Sequence, residues 1–436
     1  MVKSLSKNSK IVKEKIEEPI DEEEIQSQED INEEYSQLDD IEDEVSENEM
    51  NNQDHYDDAI DENTNELKPL DFETKIMEVD TETLQMRIGE VLNRLGNISN
   101  TNDSRVNLLI ELKKLFSRLY NYNYELMEYI LDLLGPVETQ AFLESMELPR
   151  PVTIRVNSLK VQKAALIKSL TDKNVSLEPL NEICKMAFKI NSSKVPIGAT
   201  TEYLAGQYML QSAASMLAVR ALAPQPDEKI LDLSAAPGGK TTYIGQLMKN
   251  KGIIVANDLK KERTKALFYN CQRMGLTNVI ITNYDGRYIP GIENTFDRVL
   301  LDAPCTGLGV ISRDASIKAR RTMMDIKKAS HLQRELLRKA VDYCKVGGYI
   351  VYSTCSFAVE ENEAVIDYIC KKRFVKIVDT GIEFENKAFT KYKDSRYNDR
   401  IKYCLRVMPH IHNMDGFFVA KLLKIKNGER DTSEIK

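Results

Sequence analysis

The C-terminal half of the chain alternates between short apolar runs and longer segments in which apolar residues have helical spacing. The apolar runs have the length of buried β-strands, and they lie at Lys229–Leu233, Gly252–Asn257, Asn278–Thr282, Phe296–Leu301 and Gly348–Ser353. The segments with helical spacing lie at Lys240–Lys249, Lys261–Met274, Asp325–Cys344 and Glu361–Lys371. Because strands that alternate with helices are typical of doubly wound sheets, we predict a parallel α/β sheet, closed by a final strand at Gly416–Leu422.

Two further patterns precede this region. From Asp71 to Pro149, apolar residues recur every three or four positions, which predicts helices at Val106–Tyr120 and Asn123–Leu134. From Pro151 to about residue 190, a strand, a helix and two short strands follow one another, an order that indicates a small α/β unit. The segment Tyr203–Leu222 is predicted to be one buried helix.

Charge divides the chain near residue 70. The 436 residues have a formal net charge of −8, but residues 1–70 alone hold 24 acidic and 6 basic residues. Residues 71–436 hold 54 basic and 44 acidic residues, a net charge of +10, which favours a polyanionic partner. Between Asp21 and Glu66 there are 21 acids and no Lys or Arg, a composition typical of disorder.

Composition also argues against several classes of protein. The N-terminus has no apolar signal-peptide core, and the longest uncharged stretch is too short and polar to span a membrane. The spacing of the seven Cys and four His predicts no metal site. An odd number of cysteines without a signal peptide favours a reducing compartment. We therefore expect an intracellular protein that binds neither a membrane nor a metal ion.

Residues that follow the predicted strands are candidates for chemistry, because ligands bind beyond the carboxyl ends of strands in open parallel sheets. After the first strand, small residues and two glycines let the backbone approach a ligand at the start of a helix. This loop consists of Ser234, Ala235, Ala236, Pro237, Gly238, Gly239 and Lys240. Asp258 ends the second strand, where a carboxylate can accept hydrogen bonds from ribose hydroxyls, and Asp285 after the third can receive an adenine amino group.

Two cysteines follow the fourth and fifth strands. Cys305 lies in Asp-Ala-Pro-Cys and Cys355 lies in Ser-Thr-Cys-Ser. A cysteine is most often a buried, inert core residue, but that role does not suit two cysteines on loops that face a ligand. We expect those five to be buried and inert, and they are Cys184, Cys271, Cys344, Cys370 and Cys404.

The loop after the first strand also approximates a nucleotide-triphosphate-binding loop. From Ser234 to Thr241 it differs from that motif by one residue, Ser in place of the first Gly, and Val299–Asp302 would be the acidic strand that helps hold magnesium. However, Ala235–Pro237 lacks the flexible backbone that cradles phosphates. The acids after the second and third strands favour a nucleoside without a polyphosphate.

Three motifs, in this order on one α/β body, resemble those of the RNA cytosine-C5 methyltransferases that use S-adenosylmethionine. They are AAPGGKT (Ala235–Thr241), DAPC (Asp302–Cys305) and STCS (Ser353–Ser356). The resemblance covers about Pro151 to Lys424. The stretches PRPVTIRVNSLK, LAGQYMLQSAASML and PHIHNMDGFFVAKL are similar to the nucleolar protein 2 branch, which methylates large-subunit ribosomal RNA and carries charged N-terminal extensions.

The resemblance implies a catalytic role for four residues. Cys355 would be the nucleophile that adds to cytosine C6, which makes C5 able to attack a methyl sulfonium. Cys305 would assist release of the methylated RNA. Asp302 would hydrogen-bond or protonate cytosine N3, and Lys240 would orient the base and favour the thiolate.

The resemblance also implies the cofactor-binding set. It comprises the loop from Ser234 to Lys240 and four further residues, Asp258, Arg263, Asp285 and Asp302. Ser234 departs from the family, since many relatives have Cys there, but the backbone does most of the binding and we expect little loss. Because the mechanism needs no histidine, His410 and His412 are expected to be structural.

The predicted fold is thus a Rossmann-like S-adenosylmethionine-dependent methyltransferase domain with three accessory segments and a short C-terminal tail. In chain order, the five parts are a disordered acidic tail (1–70), a helical N-terminal extension (71–150), a small α/β RNA-binding unit (151–203), the methyltransferase domain (204–425) and the C-terminal tail (426–436). The expected function is formation of 5-methylcytosine in large-subunit rRNA during ribosome assembly.

The expected partners are large-subunit rRNA and pre-ribosomal particles, and we expect a monomer outside the pre-ribosome. The resemblance implies a nuclear, nucleolar location, and the basic segment Lys3–Lys15 is a candidate import signal. Two alternatives remain open: a transfer RNA substrate with the same chemistry, and an assembly factor for which methylation is secondary. The acidic extension and the PHIHNMDGFFVAKL segment disfavour transfer RNA.

Overall fold

The computed structural model describes residues 80–98, 104–180, 184–383 and 388–430. These residues belong to one compact unit, Pro69–Lys436. The predicted acidic tail and the candidate import segment lie outside the described residues, as does the end of the chain beyond residue 430.

Four helices form the N-terminal extension. They are α1 (Thr81–Gly96), α2 (Arg105–Tyr120), α3 (Tyr124–Leu134) and α4 (Pro136–Glu147). The two helices predicted here are confirmed as α2 and α3, and Asn123 caps α3 by accepting a hydrogen bond from the Leu126 N–H. Their buried apolar side chains pack in one cluster with Leu308, Ile311 and Phe357, which lie in the C-terminal half of the chain. The extension is therefore continuous with the core of the domain that follows it.

A small antiparallel sheet comes next. Its elements are β1 (Thr153–Val156), α5 (Lys163–Asp172), β2 (Val175–Pro179), β3 (Ala187–Ser193), α6 (Thr201–Leu204) and β4 (Tyr208–Leu210). The strand order is β2-β3-β1-β4. The predicted succession of strand, helix and two strands is confirmed.

The prediction of one helix over Tyr203–Leu222 is wrong. Helix α6 ends at Leu204, β4 pairs with β1, and a new helix, α7 (Ala213–Leu222), begins after the strand. Gly206 explains the break, because its φ of +72° is left-handed and an added Cβ would lie 1.8 Å from the Arg273 carbonyl oxygen. A fourth strand thus lies beyond residue 203, where the sequence placed the end of the small unit.

The main sheet is mixed, with a parallel centre. Its strands are β5 (Lys229–Asp232), β6 (Ile253–Asn257), β7 (Val279–Thr282), β8 (Phe296–Asp302), β9 (Cys344–Thr354), β10 (Arg373–Val378), β13 (Leu405–Val407) and β14 (Phe417–Glu429). Two further strands, β11 (Lys391–Tyr392) and β12 (Ser395–Arg396), form a separate hairpin. The order is β10-β14-β9-β8-β5-β6-β7, and β13 pairs with β14. Strands β5 to β9 pair in parallel as predicted.

The antiparallel edge was only partly predicted. Strand β14 is confirmed at the predicted place, but it runs antiparallel to β9 and is longer than expected. Strand β10 was missed because it follows the preceding helix without a turn: the helix ends at Lys372 and the strand begins at Arg373.

Helices cover both faces of the sheet. They are α7, α8 (Gly239–Leu247), α9 (Lys261–Met274), α10 (Ile317–Arg320), α11 (Met323–Tyr343), α12 (Glu363–Lys372) and the short α13 (Pro409–His412). The four helices predicted between strands are confirmed within two residues at each end. Along β5, Leu231 packs into one apolar core and Ile230 into the other. Within the described ranges, none of the helices has the length and apolar character needed to cross a membrane.

Candidate active site

The loop between β5 and α8 has a fixed backbone. Gly238 adopts φ +99°, and an added Cβ would come within 3.0 Å of the Leu267 side chain, so a larger residue would be strained there. The Ala236 N–H donates to an Asp258 carboxylate oxygen at 3.0 Å, and the Ala236 carbonyl accepts from Arg263 Nη2 at 2.7 Å. The structure therefore brings the glycine-rich loop, Asp258 and Arg263 together.

Asp258 lies directly after β6 and is only 2% exposed. Its Oδ1 accepts a hydrogen bond from the Lys260 N–H at 3.1 Å, and Arg263 Nη1 lies 3.7 Å from Oδ2, the oxygen that accepts from Ala236. Each carboxylate oxygen can accept more than one hydrogen bond, so these contacts orient the group and leave acceptor capacity. This geometry is compatible with binding of a diol.

Asp285 follows β7 and has a partner that the sequence reasoning missed. The Arg287 guanidinium donates to it at 2.7 Å and also to Glu335 at 2.8 Å. Burial alone would raise the pKa of Asp285, but the hydrogen bonds from Arg287 outweigh it and hold that pKa below its ordinary value. An added Cβ on Gly286 would lie 3.1 Å from Leu233, so this loop sits against the residue after β5.

Lys240 and Asp302 form an ion pair at the centre of the site. Lys240 Nζ lies 2.6 Å from Asp302 Oδ2, and Ser353 Oγ donates to Asp302 Oδ1 at 2.7 Å. The ammonium group is also 5.3 Å from the centre of the Phe417 ring. Two of the four residues expected to act on the base are thus in direct contact, and Ser353 is a contact for which the sequence reasoning gave no role.

The two thiols lie side by side. Cys305 Sγ and Cys355 Sγ are 3.2 Å apart, and both cysteines are free and partly exposed. Asp302 pairs with Ser353 in the parallel register of β8 and β9, so the two cysteine loops leave neighbouring positions of the sheet. The hydrogen bond with Cys355, burial and nearby negative charge raise the pKa of Cys305 well above its ordinary value.

The other five cysteines are buried and free, which confirms the expectation of core thiols. Burial raises the pKa of Cys271, Cys344 and Cys370 to about 12, so these thiols stay protonated and unreactive at neutral pH.

His410 and His412 lie on α13, and the contacts described next are with residues other than the two cysteines. His410 Nε2 is 3.0 Å from Glu138 Oε1, and its ring packs edge-on against Phe142 of the N-terminal extension. The ring of His412 contacts the Met408 backbone. These contacts suit the structural role expected of both residues.

Asp232, the last residue of β5, is a further buried group that the sequence analysis did not select. One oxygen accepts from Thr241 Oγ1 at 2.7 Å, and the other has no partner among the described residues. Burial, opposed by the Thr241 hydrogen bond, raises the pKa of Asp232 to about 7. Carboxyl groups thus end or follow β5, β6, β7 and β8, a setting that would repel a polyphosphate but offers acceptors to a nucleoside. In the described part of the chain, no group of three or more His, Cys, Asp or Glu could hold a metal ion.

This architecture is that of a Rossmann-like methyltransferase. The chain belongs to the RsmB/F family of RNA cytosine-C5 methyltransferases. Residues 219–423 match the family described as 16S rRNA methyltransferase RsmB/F, and residues 123–213 match the N-terminal domain of 16S rRNA methyltransferase RsmF.

Individual relatives agree with this assignment. The tRNA (cytosine(49)-C(5))-methyltransferase of Pyrococcus abyssi is 35% identical over 66% of this chain and 92% of its own length. The crystal structure of a methyltransferase homolog protein from Pyrococcus horikoshii has 35% identity and a TM-score of 0.65, and covers 71% of this chain and 98% of that one.

The predicted branch of the family is confirmed by higher identities. The 25S rRNA (cytosine-C(5))-methyltransferase nop2 of Schizosaccharomyces pombe is 48% identical over 83% of this chain. The human 28S rRNA (cytosine(4447)-C(5))-methyltransferase is 47% identical over 80% of this chain. The chain spans 62% of the yeast protein and 44% of the human protein.

Proposed function

We propose that the protein transfers a methyl group from S-adenosylmethionine to C5 of a cytosine in large-subunit rRNA during assembly of the large ribosomal subunit. The observation that carries this proposal is the pair of free thiols, 3.2 Å apart, on loops that leave adjacent parallel strands. The choice of rRNA is supported by the names of the relatives at 47–48% identity.

The residues around the glycine-rich loop fit this cofactor. When bound, S-adenosylmethionine supplies a methyl group on a positively charged sulfonium. The backbone from Ser234 to Lys240 would line its binding site, Asp258 and Arg263 would contact the ribose side, and Asp285 the adenine side. The unbonded buried oxygen of Asp232 and the tight turn at Gly238 support a polar ligand here, and Asp302 would close the site toward the base.

The proposed chemistry begins with Cys355. Its thiolate adds to cytosine C6, and the electron pair of the C5–C6 double bond moves toward N3, which Asp302 protonates or hydrogen-bonds. Lys240, in contact with Asp302, holds the carboxyl group and favours the thiolate. C5 then forms a bond to the methyl carbon while the bond from that carbon to the sulfonium sulfur breaks, which would leave S-adenosylhomocysteine. The C5 proton is later lost to water.

Cys305 acts in the second half of the cycle. Once the C5 proton is lost, the electron pair returns to the C5–C6 bond and expels the Cys355 thiolate. Cys305, in contact with Cys355 and protonated because of its raised pKa, assists this release. The target base must leave its stack to reach the thiols.

A covalent trap tests this proposal. The Cys305→Ala protein, incubated with S-adenosylmethionine and immature large-subunit RNA, is expected to accumulate a denaturation-resistant protein–RNA adduct. The adduct should disappear in Cys305→Ala/Cys355→Ala and persist in Cys305→Ala/Cys344→Ala, because Cys344 is a buried core thiol. An adduct that survives loss of Cys355 would overturn the nucleophile assignment.

The wider setting is part of the same proposal. Residues 151–203 would contact RNA and residues 204–425 would carry the chemistry, with pre-ribosomal particles as partners, a monomer outside them and a nucleolar location. The name of the Pyrococcus relative favours transfer RNA as a second candidate substrate. A role as an assembly factor predicts that a Cys355→Ala strain grows normally, whereas an essential methylation predicts that it does not.

A further inference from the structure

Glu361 is a fully buried carboxylate in the turn before α12. Within the described residues, no Lys, Arg or His forms an ion pair with it. Its oxygens instead accept hydrogen bonds from neutral donors: Oε1 from the Thr306 N–H and from Gln333 Nε2, both at 2.9 Å, and Oε2 from the Thr306 and Ser356 hydroxyls. A buried charge without a cation is costly, so its position needs an explanation.

The donors to Glu361 are the immediate neighbours of the two reactive cysteines. Thr306 follows Cys305, and Ser356 follows Cys355. Gln333 of α11 bridges the carboxylate to the Pro304 carbonyl, and the Tyr352 hydroxyl donates to the Glu361 backbone carbonyl at 2.6 Å. One side chain thus joins two loops that lie 50 residues apart in the chain.

We propose that Glu361 is a positioning residue that holds the Cys305 and Cys355 loops at contact distance. The inference rests on the proposed function, in which both thiols act on the same cytosine. Thr306 is bound through its N–H and its hydroxyl, and Ser356 through its hydroxyl, so the two cysteine loops cannot separate without breaking contacts to the same carboxylate.

The charge of Glu361 has a second effect on the pair. The hydrogen bond with Cys355 and burial raise the pKa of Cys305 most, and the negative charge of Glu361 raises it further. Removal of the charge should therefore make Cys305 react faster with alkylating reagents near neutral pH. A residue that only stabilises the fold would not change this property.

A crosslinking rate measures the geometry without any RNA. Oxidised glutathione takes two electrons and two protons from the thiol pair, becomes two reduced molecules and leaves a Cys305–Cys355 disulfide. In Glu361→Gln the amide nitrogen cannot accept hydrogen bonds. We expect the crosslinking rate, divided by the Cys305 alkylation rate to correct for thiolate content, to fall by about tenfold, the effect of losing one or two buried hydrogen bonds.

Glu363→Gln is the matched control. Glu363 is also fully buried but pairs with Arg406 at 2.5 Å and does not contact the cysteine loops through its carboxylate. This variant should lose stability while the crosslinking rate and the alkylation of Cys305 stay at wild-type values.

Two results would overturn the inference: a wild-type ratio of crosslinking to Cys305 alkylation in folded Glu361→Gln, or the same fall in Glu363→Gln. Methyl transfer is measured in parallel, and kcat should fall in Glu361→Gln with the KM for RNA unchanged. If the wild-type protein methylates no RNA, the proposed function fails, and the crosslinking comparison still decides whether Glu361 holds the thiols.

Discussion

At the carboxyl end of β5, Asp232 combines complete burial with an oxygen that has no donor among the described residues. Burial raises its pKa to about 7, so the folded protein keeps a proton there that the unfolded chain has already lost at lower pH. Because the folded and unfolded states bind different numbers of protons at this carboxyl group, the free energy of unfolding must depend on pH.

Replacement of Asp232 by Asn should remove part of that pH dependence. Since the folded pKa lies above the unfolded value of about 3.9, stability falls as the pH rises through the window between them, by at most about 4 kcal/mol for a shift of this size. Urea unfolding of the cofactor-free protein at several pH values would measure the difference between wild type and variant. Asp172→Asn, at an exposed position, is the control, and parallel curves for wild type and Asp232→Asn would contradict the argument.

Among the residues of the site, the sequence analysis predicted those that follow strands. The rule that ligands bind at carboxyl ends selected Lys240, Cys305 and Cys355, and the family resemblance added Asp302. The structure brings these residues together. It could not select Glu361, because the loops that this side chain joins become neighbours only when β8 and β9 pair. The roles of all these residues stay predictions until the variants are measured.

At the scale of whole elements, the N-terminal extension reaches the turn before α12 through hydrogen bonds of one side chain, Tyr129. The Tyr129 hydroxyl of α3 donates to Glu360 Oε2 at 2.6 Å and accepts from the Val359 N–H at 2.8 Å. Both partners lie in the turn that carries Glu361. Helix α3 therefore supports the turn that carries Glu361.

Tyr129→Phe should loosen this turn. The Val359 N–H and Glu360 lose a buried partner, and unfolding free energy should fall by about 1–3 kcal/mol. Hydrogen–deuterium exchange of the peptide around Val359 should become faster than in Tyr269→Phe, a control in which the ring is 66% exposed. Equal exchange in the two variants would argue against a supporting role for α3.

The same scale shows where sequence patterns reach their limit. The parallel strands β5 to β9 were predicted because each is an apolar run bounded by turn residues. Strand β10 has no such boundary, and β4 lies inside an uncharged segment whose helical appearance is overruled by the close approach of Gly206 to Arg273. In both places, contacts between segments that are distant in the sequence determine that a strand forms.

Over the whole molecule, the dominant feature is the separation of charge. Residues 1–70 contribute −18 to the net charge and the remainder contributes +10. Because an acidic segment and RNA are both polyanions, we expect the two to compete for the basic side chains of residues 71–436.

Removal of residues 1–70 should therefore increase non-specific RNA affinity. We expect the truncated protein to bind an unrelated RNA more tightly at low salt, and the difference should shrink as salt screens the charges, since the Debye length falls to about 8 Å at physiological ionic strength. Filter binding over a salt series would measure it. A variant that keeps residues 1–70 but has Asn and Gln in place of the acids should behave like the truncation, and unchanged affinity in both would refute the competition.

The in-register pairing of Asp302 with Ser353 has a consequence for how this chain can vary. Neighbouring residues of a strand point to opposite faces, so deletion of one residue from β8 or β9 would rotate every following side chain out of place. The two thiols would then separate although no reactive group had been altered. The length of the chain from β8 to Cys305, and from β9 to Cys355, is therefore as strictly constrained as the identity of each cysteine. We expect insertions to be tolerated only outside these two stretches.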